Sequence, residues 1–173
     1  MKTIILYYSK TGFTEQYALW LKEELKCDCF PYRDRQKIDF QQYDAIVFGS
    51  WCHAGTIQKI QWFQKQLPAW RGKKIAAFAV GAMAAEGTGI EEMLRRNFTQ
   101  AVRSFYFPGG LRYEKMGIPS RFMMKLFSTM MAKKTDKTAA EEEMARMLAK
   151  SYDLSDKKQL RPLIAYLLGP SDG

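Results

Sequence analysis

Short, almost uninterrupted apolar runs alternate along this chain with segments of helical periodicity. The runs lie at residues 4–8, 27–32, 44–49, 74–81 and 104–107. Between them, large apolar residues recur every three or four positions, as in an amphipathic helix. Apolar strands separated by such helices are typical of a parallel sheet covered on both faces. The pattern therefore predicts an α/β fold, with five parallel strands between two helical layers.

Length and charge restrict the class of protein. The 173 residues are enough for a single domain with a sizeable core. The longest nearly unbroken apolar stretch, residues 75–85, is shorter than the roughly 20 residues that span a bilayer. No signal-peptide pattern occurs at the N-terminus, so a cytoplasmic location is expected. The net charge of +9 favours an anionic partner.

The three cysteines indicate neither a disulfide framework nor a metal site. Cys27, Cys29 and Cys52 are few and unevenly spaced, and His53 is the single histidine. We therefore infer no metal, and expect Cys27 and Cys29 to be a buried pair of thiols on one face of a strand. No motif interleaves aromatic and basic residues as nucleic-acid-binding modules do, so no nucleic acid partner is expected.

The most informative motif follows the first predicted strand and opens the first predicted helix. It consists of Ser9, Lys10, Thr11, Gly12, Phe13 and Thr14. A turn at this place leaves backbone N–H groups free, and the helix dipole adds positive charge. With three hydroxyls and a glycine, the loop suits a phosphomonoester, although a plain turn with a threonine cap is the alternative. The glycine patterns of P-loops and dinucleotide folds are missing from this sequence.

Two further loops are expected beside this one, because ligands bind beyond the carboxyl ends of parallel strands. The second loop supplies Ser50, Trp51, Cys52, His53, Ala54 and Gly55, and the third supplies Gly81, Ala82, Met83 and Gly87. Trp51 stacks on a flat ring or packs on the sheet edge. His53 is a candidate proton shuttle or a surface hydrogen-bonding residue, and Cys52 is expected to serve packing. A phosphate site and a ring between two loops describe a mononucleotide.

These features resemble the flavodoxin family, whose first loop has the form Ser/Thr-x-Thr-Gly-x-Thr. Ser9, Thr11, Gly12 and Thr14 match that form. The resemblance implies a flavodoxin-like fold with strand order 2-1-3-4-5 and FMN as cofactor. It covers a domain of residues 1–152 and leaves a tail of residues 153–173, which packs back on the domain or joins a homodimer.

A closer resemblance is to the menaquinone-dependent protoporphyrinogen IX dehydrogenases. It rests on residues 109–113, 121–126 and 134–136, which look like the insert that follows the fifth strand in that family. The resemblance implies oxidation of a protoporphyrinogen-like reductant on FMN, with a quinone as electron acceptor, at the inner face of the membrane. This chain departs from the family's second-loop pattern at His53 and Ala54. Its third loop also has no aromatic residue, so Trp51 or Met83 covers the flavin ring or one ring face is open to a substrate.

The predicted insert, residues 111–135, has six basic residues and one acidic residue. Its apolar stripe consists of Phe122, Met123, Leu126, Phe127, Met130 and Met131. We predict substrate or membrane contacts at Arg112, Arg121, Phe122, Lys125, Leu126 and Met130. The alternative is that the stripe packs on the domain. An electron carrier that works between redox protein partners stays open as a second function.

Overall fold

The computed structural model describes residues 1–85 and 89–169. The strands are β1 (Thr3–Tyr8), β2 (Asp28–Pro31), β3 (Ala45–His53), β4 (Thr56–Ile57), β5 (Lys74–Gly81), β6 (Arg103–Pro108), β7 (Gly110–Leu111) and β8 (Tyr152–Asp153). Five of them form a parallel sheet in the order β2-β1-β3-β5-β6. This is the predicted order 2-1-3-4-5, so the predicted fold class is confirmed.

Helices cover both faces of the sheet. The helices are α1 (Phe13–Leu25), α2 (Ile60–Gln66), α3 (Ile90–Asn97), α4 (Ile118–Lys133), α5 (Ala139–Leu148) and α6 (Arg161–Leu168). Successive residues of β1 point to opposite faces, so Ile4 and Leu6 pack with α2 and α3 while Ile5 packs with α1 and α6. The two faces thus bury separate apolar clusters.

The second predicted loop is a β-hairpin, because β3 continues through His53 and turns back into β4. Cys52 pairs with Ile57 and His53 with Thr56, in antiparallel register. The two turn residues, Ala54 and Gly55, have φ values of 47° and 77°. A two-residue turn with both φ values positive matches the twist of the flanking strands. The sequence-based boundary of this strand at residue 49 was therefore too early.

The C-terminal segment packs back on the domain, which was one of the two alternatives left open. Leu160, Leu163 and Leu167 are fully buried against the α1 face of the sheet. Pro162 lies in the first turn of α6, where a backbone N–H has no acceptor within the helix, so the proline removes no helical hydrogen bond. The apolar face of residues 160–167 is therefore part of the same core as β1 and α1.

The insert is longer than the predicted residues 111–135. β7 and β8 pair with each other, and residues 112–151 between them carry α4 and α5. A capping box at Thr138 starts α5. This helix packs beside α4, and α6 covers the sheet.

The apolar stripe of α4 is mostly exposed to solvent. No residue of α4 is buried, and Phe122, Leu126 and Met130 are more than half exposed. The alternative that the stripe packs on the domain is therefore wrong for these residues. In the described part of the chain, no helix combines the length and apolar character needed to cross a membrane.

The cysteines are free thiols at the edge of the core. Cys27 precedes β2 rather than lying in it, but both Cys27 and Cys29 pack beside the α1-face cluster. Burial raises the pKa of Cys27 to about 11 and that of Cys29 to about 12. These thiols are therefore protonated near neutral pH and suited to packing.

Candidate functional site

One cavity of about 560 Å³ lies at the carboxyl ends of the strands. The predicted cofactor residues that line it are Ser9, Lys10, Thr11, Phe13, Thr14, Trp51, Cys52, His53, Ala54, Gly55, Gly81, Ala82 and Met83. Tyr106 of β6, Met93 of α3 and Met124 of α4 complete its apolar walls. The three predicted loops thus converge on a single concave site.

Two predicted cofactor residues, Ser50 and Gly12, are not among the described residues that line the cavity. Ser50 is fully buried, and its hydroxyl donates a hydrogen bond to the carbonyl of Gln58 at 2.6 Å, so it holds the hairpin together. Gly12 lies behind the cavity surface and shapes the first loop. Gly87 lies outside the described residues.

Gly12 sets the conformation of the first loop at the start of α1. Its φ of 96° is in the left-handed region that favours glycine. A Cβ at this position would lie 2.9 Å from Nη1 of Arg112. The Gly12 N–H donates to Oγ of Ser9 at 3.1 Å, so Ser9 holds the turn closed. The backbone conformation therefore favours glycine, and a Cβ would in addition displace the Arg112 guanidinium.

Two buried side-chain atoms have no hydrogen-bond partner in the described part of the chain, and both belong to residues of this cavity. They are Oγ1 of Thr14 and Nε1 of Trp51. A buried polar atom without a partner carries a desolvation cost, so such atoms commonly mark a ligand. The Thr14 hydroxyl is at the N-terminus of α1, where the helix dipole favours an anion. The loop therefore fits a phosphate group.

Trp51 lines the cavity at the end of β3 instead of packing only on the sheet edge. Nζ of Lys10 lies 5.0 Å from the centre of its ring, and the ring of His53 lies 5.8 Å away. His53 is exposed at the rim. Burial raises the pKa of Cys52, which therefore remains a thiol. Trp51 is therefore the aromatic side chain by which the second loop lines the cavity.

Asn97, at the end of α3, holds the hairpin of the second loop. Its side-chain amide donates to the carbonyls of Gly55 at 2.9 Å and Met93 at 2.8 Å. Its side-chain oxygen accepts the N–H of Ile57 at 3.0 Å. Asn97 is buried, so the hairpin cannot move without breaking these bonds.

Two tyrosines hold the third loop. The Tyr106 hydroxyl accepts the N–H of Met83 at 3.1 Å and donates to its carbonyl at 2.9 Å. The Tyr152 hydroxyl donates to the carbonyl of Ala82 at 2.8 Å, and burial raises its pKa to about 12. Met83 is 40% exposed and lines the cavity, so it can cover part of a flat ligand.

The six predicted insert contacts lie in different environments. Arg112 faces the first loop, with its side chain only 19% exposed. Arg121 is half-buried and donates from Nε to the carbonyl of Tyr113 at 2.9 Å. Phe122, Lys125, Leu126 and Met130 are exposed. Only the last four therefore form an open surface.

The insert also forms one wall of the cavity. Met116, Met123 and Met124 line it from this side. Nζ of Lys10 donates to Oγ of Ser120 at 3.0 Å, which ties the first loop to α4. A ligand in the cavity would therefore contact both the sheet domain and the insert.

Sequence reasoning missed the residues that position the loops. Asn97, Tyr106 and Tyr152 act through contacts distant in sequence, and none belongs to a local motif. One sequence signal pointed to a positioning residue: Asn97 is a polar residue beside the apolar positions at the end of the amphipathic α3.

The sequence matches the flavodoxin domain family over residues 4–138. No curated protein sequence matches this chain. Among solved structures, a flavoprotein from Lactobacillus acidophilus in complex with FMN is 20% identical, with 62% of this chain and 91% of that chain covered and a TM-score of 0.46. The Trp repressor binding protein of Bacillus subtilis is 16% identical, with 79% and 100% covered and a TM-score of 0.46. Similarities of this size carry no argument about activity.

Proposed function

The chain belongs to the flavodoxin domain family, and from this premise we propose that it is an FMN-dependent oxidoreductase. Its reductant would be an anionic or membrane-associated small molecule of the protoporphyrinogen IX type, and its electron acceptor a quinone. One observation supports this proposal most directly. The insert forms one wall of the cofactor cavity, and its helix α4 exposes apolar and basic side chains to solvent.

The cofactor of the family is FMN, as the sequence predicts. When bound, FMN supplies the electron-transfer chemistry, and the chain binds and orients it. The Thr14 hydroxyl and the N-terminus of α1 would hold the phosphate, and Trp51 and Met83 would flank the ring. Thr14 and Trp51 are also the residues whose buried side-chain polar atoms have no hydrogen-bond partner within the described ranges.

The methionine wall favours a small-molecule partner. Met116, Met123 and Met124 are flexible apolar side chains that adapt to irregular ligands. A flavodoxin-like carrier can transfer electrons through a flavin ring edge that is open to partner proteins. It does not require a cavity wall built from a separate helical insert. A porphyrinogen or a quinone would use such a wall.

We further propose that the exposed side of α4 contacts a membrane surface. Ile118, Phe122 and Met130 are 85%, 70% and 64% exposed. Lys125 and Lys133 flank them and would meet anionic head groups. This contact would bring the cavity close to a quinone dissolved in the bilayer.

The test combines turnover with a charge reversal. We expect Lys125→Glu to retain FMN but to lose most of its activity with protoporphyrinogen IX and menaquinone in vesicles that contain anionic lipid. Lys65→Glu on α2 makes the same charge change on an exposed residue of the opposite helical layer, and serves as control. Normal turnover of Lys125→Glu would argue against a role for the basic face.

The second candidate is an electron carrier between redox proteins, favoured by the exposed rim at His53 and Gly55. A carrier would keep FMN and reduce a partner protein, but would not turn over protoporphyrinogen.

The exposed apolar surface of α4 could also form a homodimer, which sedimentation in the absence of lipid would detect.

A further inference from the structure

Arg112 links the insert to the first loop, to α1 and to β8 through three oxygen atoms. Its Nη1 donates to the carbonyl of Thr11 at 3.3 Å, and its Nη2 donates to Oε1 of Gln16 at 2.8 Å and Oδ2 of Asp153 at 2.9 Å. The guanidinium carbon lies 3.9 Å from the centre of the Phe13 ring. Bonds on several sides of a planar fork fix its orientation, which an ammonium group cannot reproduce.

Charges of both signs surround this residue. A backbone hydrogen bond is the largest cause that lowers the pKa of the neighbouring Glu114, and Arg112 helps to lower it. Asp153 is the acidic group bonded to Arg112. Burial alone would raise the pKa of Asp153, but hydrogen bonds from Ser155 and Arg112 outweigh this and lower it. Nζ of Lys115 lies 3.5 Å from the position that a Cβ of Gly12 would occupy, and Lys10 belongs to the loop itself. The base of the insert thus brings cations to the rear of the phosphate-binding loop.

We propose that Arg112 is a positioning residue of the FMN phosphate site, and that it makes the insert part of that site. By holding the Thr11 carbonyl behind the loop, it directs the Thr14 hydroxyl and the α1 N-terminus toward the phosphate. The inference rests on the FMN binding described under the proposed function. It differs from our sequence-based expectation, which assigned Arg112 to substrate or membrane contact.

A coupling follows from this geometry. Arg112 lies between β7 and α4, and the bond from Lys10 to Ser120 makes a second link from the first loop to the insert. If docking of the insert strengthens phosphate binding, phosphate binding must strengthen docking by the same factor. FMN should therefore stabilise residues 112–151, and riboflavin, which has no phosphate, should do so less.

The first experiment compares FMN and riboflavin binding to the flavin-free full chain, measured by quenching of flavin fluorescence. For Arg112→Gln we expect roughly tenfold weaker FMN binding, because hydrogen bonds to charged groups are of that strength, and an almost unchanged riboflavin affinity. Arg112→Lys should recover part of the loss. Arg146→Gln, which removes an exposed arginine from α5, should bind both flavins like the wild type.

Parallel weakening of both flavins in Arg112→Gln would overturn the inference, because a purely structural role has no preference for the phosphate. Unchanged affinity for both flavins would overturn it as well. If the wild type binds neither flavin, the proposed function fails together with the inference, so the two failures are distinguishable.

The second experiment uses the unaltered chain and does not depend on the folding of a variant. Amide hydrogen exchange of residues 112–151 is measured without flavin, with FMN and with riboflavin at equal occupancy. Stronger protection by FMN supports the coupling. Equal protection by the two flavins contradicts it.

Discussion

The sheet domain and the insert use similar apolar residues in opposite ways. In α6, Leu163 and Leu167 are buried beneath the sheet, whereas in α4 Leu126 and Phe127 face solvent. The sheet buries an apolar cluster on each face without help from α4. Exposed apolar surface on a separate segment is typical of an interaction site rather than of a stabilising element. The buried and the exposed apolar side chains therefore lie in different parts of this chain, which agrees with the proposal that α4 contacts a partner surface.

The largest effect is expected from a matched pair of leucine substitutions. Leu163→Ala should lower the free energy of unfolding by about 2–5 kcal/mol, because it leaves a cavity in the core. Leu126→Ala should change it by less than about 0.5 kcal/mol, since the side chain is exposed. Urea unfolding followed by circular dichroism measures both. Equal losses would show that α4 is part of the cooperative core.

Asn97→Ala should have the next largest effect. It removes three side-chain hydrogen bonds and leaves the buried N–H of Ile57 without its acceptor, at a cost of about 1–3 kcal/mol. The hairpin that carries Trp51 should also become mobile, which indole fluorescence anisotropy would detect. A variant with wild-type stability and a rigid Trp51 would mean that the hairpin holds its own shape.

Thr14→Val should act on the cofactor rather than on the fold. The substitution keeps the shape of a buried side chain and removes a hydroxyl that has no partner among residues 1–85 and 89–169. We expect FMN affinity to fall by about tenfold, equal to about 1.4 kcal/mol, while the flavin-free protein is as stable as the wild type or slightly more stable. Thr129→Val on the exposed α4 is the control in the same titration. Wild-type affinity in Thr14→Val would remove the hydroxyl from the phosphate site.

The smallest effect concerns the ion pair between Asp153 of β8 and Arg112 at acid pH. The pKa of Asp153 is lowered in the folded protein, so this group stabilises the fold above its unfolded pKa and loses that contribution as the pH falls through the folded pKa. The side chain is nearly half exposed, so the contribution should be below about 1 kcal/mol. Asp153→Asn should therefore flatten the acid limb of a stability curve measured below pH of about 4. An unchanged limb would show that the ion pair contributes nothing.

The sheet could be predicted because its signals are local. Each strand is an apolar run, and the residues from Ser9 to Thr14 form a contiguous motif. The extent of the insert could not be predicted, because pairing of Leu111 with Tyr152 joins positions far apart in sequence. The capping box at Thr138 indicated a helix but not the surface on which that helix packs.

The remaining differences have equally specific causes. The core helix α6 could not be predicted with certainty from the sequence, because Pro162 lies inside its apolar pattern and a proline there also indicates a helix end. From the sequence, Arg112 is one of several basic residues and was assigned to substrate or membrane contact. Its three acceptors, on Thr11, Gln16 and Asp153, are far from it in sequence and come together only in the folded chain.

The pairing of β7 with β8 gives the insert a modular design. Its two ends leave the domain side by side, with Gly110 opposite Asp153 and Leu111 opposite Tyr152. Neighbouring strands lie about 5 Å apart, a gap that a two-residue hairpin turn bridges. A protein engineer could therefore keep Arg112, exchange the segment between Arg112 and Tyr152 for another helical pair, and graft a new specificity onto the same sheet domain.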